Sequence, residues 1–334
     1  MAGDKVTSAQ VAKLAGVSQS AVSRVFTPGA SASSKTIEKV RRAASSLGYR
    51  PNVVARSLIT GKSRIIGLVV AYLNNQFYPD VLEKLSKGLQ SEGYHVLVFM
   101  VDQTPDNVDE VLEKILDYQA DGIVLASVGM SSELALRCRG EGVPVVLFNR
   151  TQDNDLLSSV TSDNVAGGYK VAEHLIATGA KRIAYLAGWS GASTQRDRES
   201  GFSQGLAAAG RKLFARDEGD FDFEKAKQAT RRMFAADERP DAVFVCNDYM
   251  AFAAMDVIRD ELKLRIPEDV AVVGYDDVPA AAWGAYQLTS VRQPANRMVE
   301  QTIDTLLTQI DNDEVPPRRL FLDGPLVVRS TSNL

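Results

Sequence analysis

The chain has 334 residues, 45% of them apolar and 24% charged, the balance of a water-soluble globular protein with room for two or three domains. Its first residues, MAGDKVTSAQ, are polar where a secretory leader is apolar, no apolar run has the length of a membrane span, and Cys138 and Cys246 are too few for a disulfide framework or thiolate metal site, so a reducing cytoplasm is expected. The net charge of −4 is unevenly shared: residues 1–62 hold ten basic and two acidic side chains, leaving 28 basic and 40 acidic ones for the rest, and such a basic head on an acidic body presents only the head to polyanionic phosphate.

Thr7 or Ser8 stands at an N-cap position ahead of Val11, Ala12 and Leu14 at helical spacing, and Gly16 supplies the stop. After the turn Ala15-Gly16-Val17-Ser18, Ser18 caps a second helix with Ala21, Val22 and Val25 turned inward and Gln19, Ser20, Ser23 and Arg24 outward. Two helices on a tight glycine turn predict a helix-turn-helix, whose second helix enters the major groove with Gln19, Ser20 and Arg24 at base edges. A third helix over 34–47 packs Ile37, Val40, Ala44 and Leu47 behind them and leaves Lys35, Lys39, Arg41 and Arg42 to water or phosphate. Taken singly, each polar residue here reads as solvated helix surface. The paired helices, the tight turn and the charge together favour groove binding.

Pro51 is pre-set for a first helical turn, and Asn52 to Thr60 allows about two turns, a length marginal alone in water. Order there requires a support, such as DNA and a second copy. Leu58, apolar on a short polar helix, fits a wedge between base pairs in the minor groove, or else packs on the part of the chain that follows.

The runs VAKLAGVSQSAVSRVF, TIEKVRRAASSLGYRPN and VARSL, in this order, resemble the lactose-repressor/galactose-repressor (LacI/GalR) family of bacterial transcription regulators. The resemblance implies a lambda-repressor-like, all-α helix-turn-helix domain at 1–50, a hinge helix or linker at 51–62, and an effector-binding and dimerisation domain at 63–334. It assigns DNA contacts to Thr7, Ser18, Gln19, Ser20, Ser23, Arg24, Ser31, Asn52, Ala55 and Leu58, the last intercalated. Ala9 and Ile37 depart from the family's frequent aromatic and arginine, which bears on phosphate contacts and leaves the fold alone.

From Arg64, the strand-like runs IIGLVVA, HVLVFMV, GIVLAS and VPVVLFN alternate with helical stretches, and the cycle restarts with RIAYLAG, AVFVCN and VAVVGYDD. Such alternation predicts an α/β receptor of two doubly wound parallel sheets, with a ligand cleft at the carboxyl ends of the strands. The segment from Gln293, with the short strands RLFL and LVVRS, is too small for a third lobe and is expected to return across both. SDNVAGGYKVAEHLIATGAKRIAYLAG, CNDYMAFAAM and PEDVAVVGYDD extend the resemblance, which implies a periplasmic-binding-protein-like fold. Its lobes would span 63–162 with 292–321 and 163–291 with 322–334.

Strand ends hold Asn149, Asn247 and Asp276, Phe77 and Tyr78 follow the first strand, and Arg198 stands at an expected helix start before Gly201-Phe202. By resemblance, Asn149, Arg198, Asn247, Asp276 and Gln293 are effector hydrogen-bonders, and Phe77, Tyr78 and Phe221 cleft aromatics. Carboxylate, amide and guanidinium groups over an aromatic floor suit a polyhydroxylated ligand, because each hydroxyl both donates and accepts. A sugar or sugar derivative is expected, and Arg196 near Arg198 leaves an anionic or purine-like effector open. Against these stand plainer readings: Asp163-Asn164 and Asp248 as helix caps, Phe221 as lobe packing, and only one of Asp276 and Asp277 facing the cleft.

Enzyme constellations are missing. His95 and His174 lack metal-ligand spacing, Gly188-Trp189-Ser190-Gly191-Ala192 lacks the last glycine of a nucleophile elbow, and Arg56 stands where a phosphate loop ending Gly61-Lys62-Ser63 needs glycine. No catalysis, metal or cofactor is expected. A periplasmic solute-binding protein would share the receptor fold but begin with a signal peptide, and a sugar-processing enzyme would need an acid-base pair. The expected partners are double-stranded operator DNA, a small-molecule effector and a second copy of the chain, since each monomer reads one half-site. Without a heptad tail, a homodimer is favoured over a tethered tetramer.

Overall fold

Thr7 opens the first helix, α1 (Ser8–Ala15), with a capping box: its hydroxyl accepts from the Gln10 amide, and Gln10 Oε1 accepts from the Thr7 amide at 2.8 Å. Gly16, at φ 66°, ends α1 in the left-handed conformation that a glycine adopts without strain. Ser18 then caps α2 (Gln19–Val25) and Ser33 caps α3 (Ser34–Leu47). Val11, Val22, Val40 and Ala44 meet in a small core, closed by the Phe26 and Tyr49 rings at 5.9 Å; Ile37 is only half-buried, less inward than the helical pattern predicts.

The computed structural model describes residues 6–26, 30–50, 62–71, 73–101 and 105–333. The chain divides into two units, Met1–Ser63 and Arg64–Leu334. The second begins with β1 (Ile65–Val70), α4 (Phe77–Ser91), β2 (His95–Met100), α5 (Pro105–Asp117), β3 (Gly122–Ala126), α6 (Ser132–Gly140), β4 (Val145–Phe148) and β5 (Ser158–Ser162). It continues with α7 (Asn164–Ala177), β6 (Ile183–Ala187), α8 (Ser193–Ala208), β7 (Ala215–Glu218), α9 (Phe223–Met233), β8 (Ala242–Val245), α10 (Asp248–Asp256), β9 (Ala271–Asp276) and β10 (Thr289–Arg292). Last come α11 (Ala295–Asp311), β11 (Arg319–Leu322) and β12 (Leu326–Val327).

Two sheets result. The first runs β11-β5-β4-β3-β1-β2 with every neighbour parallel; the second runs β12-β10-β9-β8-β6-β7, parallel except for the antiparallel β10–β12 pair. Their central strands are apolar throughout and buried on both faces, as helices on each side require. The chain passes between the sheets three times: after Ser162 into α7, after Arg292 into α11, which packs on the first sheet, and after Leu322 into β12.

Helices α7 and α8 pack backbone to backbone. A Cβ at Gly168 would lie 2.1 Å from the Arg198 carbonyl oxygen, and one at Gly201 1.9 Å from that of Val165, so both positions require glycine. Helix α8 begins at Ser193, five residues before Arg198, which therefore lies in the helix and not at its start. The first turns of α8 are polar and partly buried, so the rule that polar residues face water conceals them. Asn247, and not Asp248, caps α10 by accepting from the Met250 amide at 2.9 Å.

Candidate functional site

In the N-terminal unit, Ser18, Gln19, Ser20, Ser23 and Arg24 are all exposed along α2 and its cap. Gln19 Nε2 donates to Ser8 Oγ at 2.8 Å, tying the start of α2 to α1, and the Ser18 and Ser20 hydroxyls lie 2.9 Å apart. Thr7 and Ser31 are exposed, Thr7 with its hydroxyl engaged in the cap. Lys35, Lys39, Arg41 and Arg42 are exposed on α3, Arg42 in an ion pair with Glu38. Asn52, Ala55 and Leu58 lie outside the described residues.

In the receptor, most of the predicted effector residues converge where strand ends of both lobes meet. Asp276, at the end of β9, is the hub. Its Oδ2 accepts from Asn75 Nδ2 of the other lobe at 2.7 Å, its Oδ1 accepts from Gln293 Nε2 at 2.7 Å, and Arg198 Nη2 stands 3.6 Å from Oδ1. Arg198 donates through Nε to Asn164 Oδ1 at 2.8 Å and through Nη1 to the Cys246 carbonyl at 2.6 Å, with its guanidinium 3.7 Å over the Tyr275 ring. Asn149 Nδ2 donates to the Tyr78 hydroxyl at 3.0 Å. Two acceptors in this buried cluster, Asn149 Oδ1 and Gln293 Oε1, have no hydrogen-bond partner among the described residues. Asn247 lends one lone pair of its carbonyl to the α10 cap, which fixes the orientation of the amide and leaves its nitrogen as a donor.

Burial raises the Asp276 carboxyl above its usual range, opposed by Arg198 and by the Asn75 and Gln293 hydrogen bonds. Burial also pulls the Arg198 guanidinium down, but Asp276 and the polar groups around it outweigh this and hold it above its ordinary value. Two amide N–H donors accepted by the carboxyl, with the guanidinium 3.6 Å away, favour the ionised form of the pair. Asp248 beside it is pushed well above the usual carboxylate range by burial and then by the charge of Asp276, while accepting from Ser290 Oγ and the Val278 amide.

Backbone strain gathers at the same strand ends: Ser127, Asn149, Phe221, Asp276 and Asp277 all have positive φ without being glycine. Phe221 lies flat against Gly188, where a Cβ would meet its ring at 2.2 Å, and Phe77 stacks on Phe148 at 6.2 Å. Both rings are buried beside the cluster. Asp277 turns away to Arg292 and Arg329. Asp163 caps α7, whereas Asn164 turns inward to Arg198.

Arg196 does not join Arg198. Two residues along a helix point about 200° apart, and Arg196 is exposed, paired with Asp153 and Asp197. It lines a separate cavity of about 730 Å³ between the lobes, with Met130, Arg150, Gln152, Trp189 and Ser193. Two buried residues, Asn75 and Arg150, escape the sequence reading, and a third, Asn164, enters it only as part of a helix cap. A signal existed for two of them, since Arg150 directly follows Asn149 at a strand end and Asn75 stands two residues before Phe77.

Residues 9–52 match the model of the bacterial regulatory proteins of the lacI family, and residues 63–325 match the periplasmic binding proteins and sugar binding domain of the LacI family. The chain belongs to the LacI family. It is a DNA-binding transcription regulator with an effector-binding domain, and its architecture is that of the family, a helix-turn-helix followed by a two-lobed receptor. It is 30% identical over 325 residues to the HTH-type transcriptional repressor PurR of Photobacterium profundum (96% of this chain, 97% of the relative) and 33% identical over 333 residues to the HTH-type transcriptional regulator CelR of Thermobifida fusca (96% of each). Among solved structures it resembles the Lac repressor dimer bound to operator and the anti-inducer ONPF, with TM-score 0.89, 28% identity and coverage of 99% and 100% of the two chains. A CelR–cellobiose complex matches with TM-score 0.74, 31% identity and coverage of 98% and 100%. These LacI-family relatives are regulators and not enzymes, and among the described residues no helix is long and apolar enough to cross a membrane.

Proposed function

We propose that this LacI-family regulator binds a sugar or sugar derivative through the Asp276 cluster and thereby controls its grip on a palindromic operator as a homodimer. The observation that carries the ligand class is the pair of buried, unpartnered acceptors, Asn149 Oδ1 and Gln293 Oε1, beside the charged pair Asp276–Arg198. An unpartnered buried acceptor costs about 1–3 kcal/mol, so the cluster favours a ligand that brings donors, and hydroxyls do so while also accepting from Arg198. That a similar structure is a CelR–cellobiose complex supports the reading. The exposed face of α2, with Gln19, Ser20 and Arg24, supplies base contacts, and residues 51–62, including Asn52, Ala55 and Leu58, supply a hinge that orders on DNA. Ligand closure of the cleft changes the spacing of the two hinges and so shifts the grip on the operator, as release by an inducer or tightening by a corepressor.

The test is selection of a duplex from random DNA by the full chain, followed by retardation of that duplex in the presence of a panel of sugars. A palindromic duplex, released or tightened by one sugar and insensitive in Arg198→Gln, is the expected result. A duplex with no two-fold repeat, or binding indifferent to every sugar, would overturn it.

A further inference from the structure

The cavity beside the cluster has a chemistry of its own. Arg150 lies on its wall, 5% exposed, and donates to the Ser127 carbonyl and hydroxyl and, at 3.4 Å, to Thr194 Oγ1. These three bonds leave two of the guanidinium's five N–H donors without an acceptor, and among the described residues no carboxylate pairs with it. A buried cation without a counter-charge is costly unless an anion arrives. The second wall carries the start of α8, a 16-residue helix whose N-cap, Ala192, has no side chain able to cap it, so the positive end of the helix opens toward the same space.

On the first wall, beside Arg150, Gln152 Nε2 donates to the Met130 carbonyl, which fixes the orientation of the amide. Its Oε1 is then, among the described residues, a buried acceptor without a partner, a place for a hydroxyl. Trp189, 36% exposed, rests on Gly191 and offers an apolar face for a ring. Arg196 at the rim is held only by an exposed pair with Asp153 and by its chain neighbour Asp197. The volume is ample for a second group attached to a ligand in the cluster.

We infer that this cavity is an anion subsite: Arg150 and the α8 N-terminus receive the charged group of a hydroxylated effector, and Gln152 receives one of its hydroxyls. The effector class is thereby narrowed from sugars in general to sugar acids or sugar phosphates. The inference rests on the effector reading above and deepens it.

Calorimetry and thermal shift on the full chain compare matched sets built on glucose, galactose and ribose: the parent sugar, its acid (glucuronate, galacturonate, ribonate) and its phosphate ester. One acidic member is expected to bind at least about tenfold more tightly than its parent, and the acid and ester arms identify which anion is preferred. Arg150→Gln is expected to remove the preference of the acidic member over its parent. Arg150→Lys, which keeps the charge and loses the fork, is expected to retain part of it and guards against a folding defect. The inference falls if no acidic member binds above its parent, if none binds at all, or if Arg150→Gln keeps the preference. It falls as well if the preference disappears only in Arg198→Gln, which would put the anion in the main cluster. Parent-sugar binding by the same preparations separates the two failures: a parent sugar that binds with no acidic preference removes the subsite alone, whereas no member binding at all removes the effector reading with it.

Discussion

Asp276 accepts hydrogen bonds from both lobes and faces a buried guanidinium, so its charge holds together groups that otherwise have no reason to meet. Asp276→Asn leaves Arg198 buried without its carboxylate, and a loss of about 3–5 kcal/mol in receptor stability is expected from the shift of the denaturation midpoint. The same variant is expected to lose its response to ligand while retarding operator normally. Asp248 predicts a pH dependence. Its folded pKa is raised, so the folded state binds a proton that the unfolded state releases; stability falls as pH rises from the ordinary carboxylate range through the raised value. Melting temperatures between about pH 5 and pH 8 are expected to show this decline, and Asp248→Asn to flatten it. At this scale the sequence was legible wherever a polar residue ended an apolar strand, as with Asn149 and Asp276. Asn164 was hidden because it follows a genuine cap, Asp163, and its inward turn depends on Arg198, thirty-four positions away.

Elements whose interior is apolar were equally legible, since β1, β3, β4, β6, β8 and β9 are nearly unbroken runs of aliphatic side chains. Strands β5 and β7, with sequences SSVTS and ARDE, were not, because their stability comes from neighbouring strands and their side chains carry no strand-like pattern. Buried Ser158, for example, donates to Gln309 of α11, a partner that no local window contains. The α7–α8 pair makes its own prediction. Gly201→Ala forces a Cβ onto the Val165 carbonyl, so the helices must part and carry Arg198 away from Asp276; reduced stability and a weakened ligand response are expected together. In the N-terminal unit, Ser18→Ala removes the α2 cap and is expected to cost about 1 kcal/mol, read as weaker operator retardation at elevated temperature.

Over the whole molecule, charge and connectivity divide the work. With ten basic residues in the first 62, operator affinity is expected to fall steeply with salt, by about a thousandfold or more between roughly 50 and 200 mM, while sugar affinity, decided in a buried cluster, hardly moves. Linkage adds a reciprocal check: the factor by which a ligand weakens operator binding must equal the factor by which operator weakens ligand binding, measured by titrating each against the other.

The three passages of the chain between the sheets all leave or enter strands at one edge, β5 and β11 in the first sheet and β10 and β12 in the second. Side by side, three such tethers act as the spine of a book. Sliding and twisting stretch at least one of them, and only the angle between the covers stays soft. A body with one soft coordinate transmits one number. Compounds of unrelated structure that set the same angle must then produce the same output, so selectivity has to be exercised at entry, by the shape and charge of the gap between the covers.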